Sequence, residues 1–212
     1  MKIAVLSESE ADEAVLRVLV KGILGTRTEP VPHIPLRSRG WPAVRNLLPV
    51  VLLHLQYRTD ADALVVLVDS NHSPVHQASH RTEEADTRCR LCELQRSASR
   101  TLQGFSPTGE GRLIRVAIGL AVPSLEAWLR CGHDTDVSEA AWQEGLNRKR
   151  DPYTRNELKN RVYGTDRPGL GLQKRRGIEE AERLTQDLAT LEDRFPVGFG
   201  SFAARIRTWI DR

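Results

Sequence analysis

The sequence lacks any apolar run approaching the roughly 20 residues that cross a bilayer, which argues against a membrane-spanning helix. Its opening, MKIAVLSESE, meets acidic residues within ten positions and lacks the apolar core of a signal peptide, so a cytoplasmic location is expected. Cysteine is scarce. Three residues, an odd number, argue against a disulfide framework. Internal repeats and low-complexity tracts are absent. No strong excess of charge is present either: the net charge of +3 decides little by itself. What remains is 212 residues, 40% hydrophobic and 28% charged, enough for one domain with a real core or one domain plus a helical extension.

Charge is unevenly spread. Between positions 145 and 176, ten Lys or Arg (148, 149, 150, 155, 159, 161, 167, 174, 175 and 176) face three acids (151, 157 and 166). A local excess of that size suits phosphates, and equally suits a solvated Arg-rich surface.

Lys2 to Leu6 is a short apolar run that reads as a buried strand. Ala14, Val15, Val18, Leu19, Gly22 and Ile23 then recur at helical spacing, with Gly25 as a stop. Glu29 to Ile34 is interrupted by Pro30 and Pro32, so any strand there lies near an edge. Trp41 to Tyr57 predicts a helix with Pro42 in its first turn. Ala63 to Val68 is apolar on both faces, as a central parallel strand requires. Residues 75–103 are polar and helix-compatible, and Leu113 to Val122 is a further strand, followed by Pro123 and a short helix. Helices are predicted over 138–146, 154–163, 177–191 and 200–211, separated by loops such as Gly164 to Gly171. This order predicts an α/β fold: a parallel sheet flanked by helices over 1–135, with a polar insertion at 72–104, and a helical C-terminal extension over 136–212 packed on it.

Loops after parallel strands gather at one sheet edge, where ligands bind. Glu8 follows the first strand and Asp69 ends the central one, so both are expected at that edge. Carboxylates on strand ends suit Mg2+ or Mn2+, which take oxygen ligands. Asn71, two residues beyond Asp69, would face the same way if the chain stayed extended. The plain alternative is that each acid is a solvated residue ending a strand.

Val5 to Leu16 (VLSESEADEAVL) resembles the first motif of TOPRIM domains, found in topoisomerases, primases and OLD-type nucleases. By this resemblance Glu8 is the metal-site Glu and Asp12 the second acid, with Ser9 where Gly is usual. VVLVDSN at 65–71 resembles the second motif. Asp69 matches its first Asp, and Asn71 replaces its second with a neutral amide. Glu126-Ala127-Trp128-Leu129 resembles a motif of uncharacterised bacterial TOPRIM-like proteins. The resemblance implies metal-assisted phosphodiester cleavage. Glu8 and Asp69 would be the metal ligands, Asp12, Asn71 and Glu126 would support them, and Lys159 or Lys174 would steady phosphate charge. It also implies nucleic acid as a partner, and an ATPase partner in antiviral defence. Glu126 has a plainer reading as an acid in the first turn of a helix.

One feature is independent of that resemblance. His76 and His80 are four apart, and Cys89 and Cys92 have zinc-knuckle spacing, so two His and two Cys can close a tetrahedral Zn2+ site. Incidental ligands in a polar insertion are the alternative, and Cys131 and His133 are read as incidental. Three functions follow: a metal-dependent nuclease, a catalytically silent TOPRIM-like component that binds nucleic acid or a protein, or a zinc-stabilised nucleic-acid-binding module.

Overall fold

The computed structural model describes residues 1–31, 40–77, 80, 88–108 and 111–210. Four strands, β1 (Lys2–Leu6), β2 (Glu29–Pro30), β3 (Ala63–Asp69) and β4 (Arg115–Ala121), form one parallel sheet in the order β2-β1-β3-β4. Every residue of β3 is buried, which explains its unbroken apolar run. The prolines around β2 leave it two residues long at the sheet edge, and the rest of the strand expected to Ile34 lies largely outside the described residues.

The crossovers are α1 (Glu10–Leu24), α2 (Trp41–Arg58) and α3 (Arg90–Gln103). Ser9 caps α1 by accepting the Asp12 N–H, and Gly25 ends it in the left-handed conformation. Helices α2 and α3 pack on each other and on one face of the sheet. Segment 72–104 therefore supplies part of a core layer: Leu91, Cys92, Leu94 and Ala98 of α3 are buried.

The C-terminal half adds α4 (Leu125–Leu129), α5 (Glu139–Asn147), α6 (Arg155–Tyr163), α7 (Leu170–Leu184), α8 (Leu188–Arg194), a π turn at Pro196–Gly200 and α9 (Ser201–Arg207). α7 and α9 pack against α1, and α9 reaches β4, closing the second face of the sheet. Trp128 packs edge-on against Phe199 at 5.1 Å, so one apolar core runs from Ile3 to Trp209. Among the described residues no helix is long and apolar enough to cross a membrane.

Two expected boundaries move. The helix expected at 177–191 is α7 and α8, and the Gly164–Gly171 loop ends at Gly169, which caps α7. The first turn of α7 exposes Leu170, so apolar spacing does not announce it. Asp187 then breaks the apparent continuity by capping α8 through the Thr190 N–H.

Gly198 shows why the C-terminal turn needs glycine. Its N–H donates to the buried Glu139 carboxylate, and an added Cβ would lie well inside van der Waals contact of the Leu120 carbonyl oxygen. Gly198→Ala is expected to cost about 1–3 kcal/mol, measured as a lower midpoint in urea denaturation. An unchanged midpoint would show that the turn relaxes freely.

Candidate metal centres

In the parallel register Leu6 pairs with Val66, so Glu8 falls level with the end of β3. The Asp69 N–H donates to Glu8 Oε1 at 3.0 Å, across 61 positions of chain. Asp12 comes from the first turn of α1, oriented by the Ser9 cap, and Glu126 from α4. Ser9 thus fixes the direction in which α1 starts. Asp69 is nearly inaccessible: Oδ1 accepts the Leu125 N–H at 3.0 Å, and Oδ2 meets Arg155 at 3.1 Å.

The electrostatics follow from this crowding. Burial, then the charges of Glu126, Asp12 and Glu8, push the Asp69 carboxyl well above its ordinary range. Burial, then Glu126 and Glu8, push Asp12 up to about 7, while the Ser9 hydrogen bond and Arg155 oppose the shift. Burial and the charges of Glu126, Asp12 and Asp69 also hold the Tyr163 hydroxyl protonated. Among the described residues two arginines are the cations in contact. Arg155 pairs with Asp69, and Arg90 donates to the Asp69 carbonyl oxygen at 2.7 Å and lies 3.5 Å from Glu8 Oε1. The Arg90 guanidinium also lies 4.8 Å from the centre of the Trp41 ring.

Asn71 corrects one expectation. The chain does not stay extended after Asp69: the Ser70 and Asn71 N–H groups donate to the Ala121 and Pro123 carbonyls, and Asn71 has a φ of 48°. Asparagine tolerates this left-handed conformation, so the chain turns at once and the extended alternation is lost. Lys174 Nζ pairs with Glu10 Oε2 at 2.8 Å, which ties α7 to the first turn of α1. Lys159 lies partly buried on α6. Arg90, Arg155 and Tyr163 were not singled out from sequence. The basic excess contained Arg155 but did not distinguish it from nine others.

The second centre is more compact. One ligand atom from each of His76, His80, Cys89 and Cys92 lies within 4.8 Å of the others, so this group can hold a metal ion such as zinc. Cys92 Sγ is 3.2 Å and Cys89 Sγ 3.7 Å from His76 Nδ1. A tetrahedral zinc site has edges of about 3.3–3.8 Å, so a contraction of roughly 1 Å at its widest edge closes it. His80 Nδ1 is buried without a hydrogen-bond partner, which suits an atom awaiting a metal. His76 is outside any helix, and the His80 N–H donates to the Gln77 carbonyl. Cys89 caps α3 and Cys92 lies in its first turn. Cys131 and His133 stand elsewhere, on Thr190 and Glu180.

Among the described residues, the His/Cys group is the one that gathers three or more metal-ligating atoms this closely. Comparisons with protein-family models, curated proteins and solved structures return no match.

Proposed function

We propose that this chain is a TOPRIM-like, metal-dependent nuclease that hydrolyses nucleic-acid phosphodiesters, with a structural zinc beside its active site. The observation that supports the reading is the hydrogen bond from the Asp69 backbone N–H to the Glu8 carboxylate, because it sets Glu8 beside the end of β3 at the sheet edge where ligands bind in such folds. Asp12 and Glu126 act on Asp69 electrostatically, and buried negative charge of this kind is costly without a compensating cation. Bound Mg2+ or Mn2+ would supply Lewis acidity and an activated water. In this reading Glu8, Asp69 and Glu126 hold the ion. Asp12, with its carboxyl pushed to about 7, holds or releases a proton near neutral pH. Arg90 and Arg155 lie where substrate phosphate charge would approach. A cytoplasmic location, an ATPase partner and an antiviral role are proposed on the TOPRIM resemblance and the reduced cysteines.

A second reading is a silent nucleic-acid-binding component, favoured by the neutral Asn71 where the family pattern has an acid. Incubating supercoiled plasmid and single-stranded DNA and RNA with zinc-loaded protein, with and without Mn2+, separates the two. Divalent-dependent nicking lost in Glu8→Ala is expected. Intact substrate with retained binding would leave the second reading standing.

A further inference from the structure

Beside the carboxylates opens a cleft of about 520 Å³, between the start of α3, the β4–α4 turn and the α5–α6 region. Its size falls within the range of small-ligand sites. Arg90 and Arg155 line it while also contacting Glu8 and Asp69, so the cleft and the acid group share a wall of two guanidiniums. Asn71 and Asn156 add amides that can both donate and accept. Ser124 and Trp142 also line it. Both are more than nine-tenths buried, and neither Ser124 Oγ nor Trp142 Nε1 has a hydrogen-bond partner.

That last fact needs an explanation, because buried polar atoms are nearly always partnered. Ser124 precedes α4 yet makes no capping bond; Asp69 accepts the Leu125 N–H instead. The hydroxyl is thereby left buried and unpartnered behind the cleft's lining. Two guanidiniums against one lining carboxylate, Asp151, leave the cleft cationic, and planar phosphate recognition is what arginine does best. The amides of Asn71 and Asn156 and the Thr154 hydroxyl, on the cleft wall, match the mixed donors and acceptors of a nucleobase edge and sugar. Arg148, Lys149 and Arg150, between α5 and α6, are exposed; Arg148 and Arg150 line a separate recess that shares Asp151 with the cleft.

We propose that this cleft seats a nucleoside phosphate, the nucleotide next to the phosphodiester presented to the acid group, with Arg90 and Arg155 holding its phosphate. The assignment to a strand rests on the nuclease reading; the nucleoside phosphate site itself does not. Bound there, the phosphate would draw Arg155 from Asp69 as a divalent ion takes its place, so substrate and metal would favour each other.

The test is calorimetric titration of the full-length, zinc-loaded protein without added Mg2+ or Mn2+. The probes are the four deoxynucleoside 5′-monophosphates, the corresponding nucleosides, inorganic phosphate and a mixed-sequence hexanucleotide. Saturable binding is expected for at least one monophosphate and for the hexanucleotide, with nucleosides and inorganic phosphate each weaker by roughly tenfold or more. Arg155→Ala should weaken monophosphate binding by about tenfold. That side chain is half-exposed, and an unchanged melting temperature would confirm that folding is intact. Asn156→Ala, also at the surface, should weaken the monophosphates more than inorganic phosphate. Nucleosides binding as well as their monophosphates, or unchanged affinity in Arg155→Ala, would overturn the proposal. A monophosphate binding more tightly than the hexanucleotide would overturn the assignment to a strand. Because no catalytic divalent ion is present, binding without any cleavage in the plasmid assay would remove the nuclease and keep the cleft. Cleavage indifferent to Arg155 and to every probe would do the reverse.

Discussion

Asp69→Asn is expected to slow divalent-dependent cleavage by about a thousandfold or more, some 4 kcal/mol of transition-state stabilisation. In the absence of divalent ions, it should make the folded chain more stable. The two effects share one cause. Asp69 is buried beside Glu126, Asp12 and Glu8, and its ionised form is disfavoured. An amide keeps the oxygen that accepts the Leu125 N–H and removes the charge. What is lost is the half-exposed Arg155 pair, which solvent screens. Asp12→Asn should act in the same direction.

The pH dependence follows from Asp12. In the folded chain it holds its proton up to about 7, whereas its ordinary value is 3.8. Between those values the folded state binds a proton that the unfolded state has released. Stability is therefore greatest at the acid end and falls as pH rises towards 7, by about 4 kcal/mol at most. Differential scanning fluorimetry from pH 5 to 8 should show a falling melting temperature. Mn2+ should restore it at pH 8, and the slope should flatten in Asp12→Asn. A pH slope that Asp12→Asn leaves unchanged, or a melting temperature at pH 8 that Mn2+ leaves unchanged, would remove the acid group as a cation site.

Strands β1 and β3 were legible because burial on both faces leaves a continuous apolar run, and each run stops at residues able to bind ions. Their adjacency was not legible. Periodicity places a strand in a sheet but says nothing about its neighbour, so only the register showed that Glu8 meets the Asp69 amide. Asn71 misled because period-two alternation holds only while the backbone is extended. Here two hydrogen bonds to the β4–α4 turn bend it immediately. Arg155 reaches Asp69 across 86 positions, a distance over which charge composition carries no address. The Glu-Ala-Trp-Leu segment shows both limits: Glu126 joins the acids while Trp128 goes to the core, although they are two residues apart. The four zinc-type ligands were legible as a set, because residue type and proximity were enough.

Removing the second metal is expected to have the largest effect on stability. Purified protein should carry about one equivalent of zinc, and Cys92→Ser should lose it, with a fall in melting temperature of roughly 10–20 °C for about 5 kcal/mol. The reason lies in what the site holds. Cys89 caps α3 and Cys92 lies in its first turn, while His76 and His80 precede the helix, so a metal held there would pin the start of a core helix to the chain leaving β3. Without it, His80 Nδ1 remains a buried polar atom without a partner. Zinc requires deprotonated thiols and neutral imidazoles, so acidification should release it, opposite in sign to the stabilisation expected from Asp12. The loss should also reach the acid group, because Arg90, the residue after Cys89, bonds the Asp69 carbonyl and lies beside Glu8. Zinc-free protein should therefore bind Mn2+ with altered affinity even below its melting temperature, read by electron paramagnetic resonance of the free ion. Less than about a tenth of an equivalent of zinc in protein purified without chelators, or a Cys92→Ser variant melting with the wild type, would reduce the cluster to ordinary buried side chains. Arg90 would then have to be held by Trp41 and Asp69 alone.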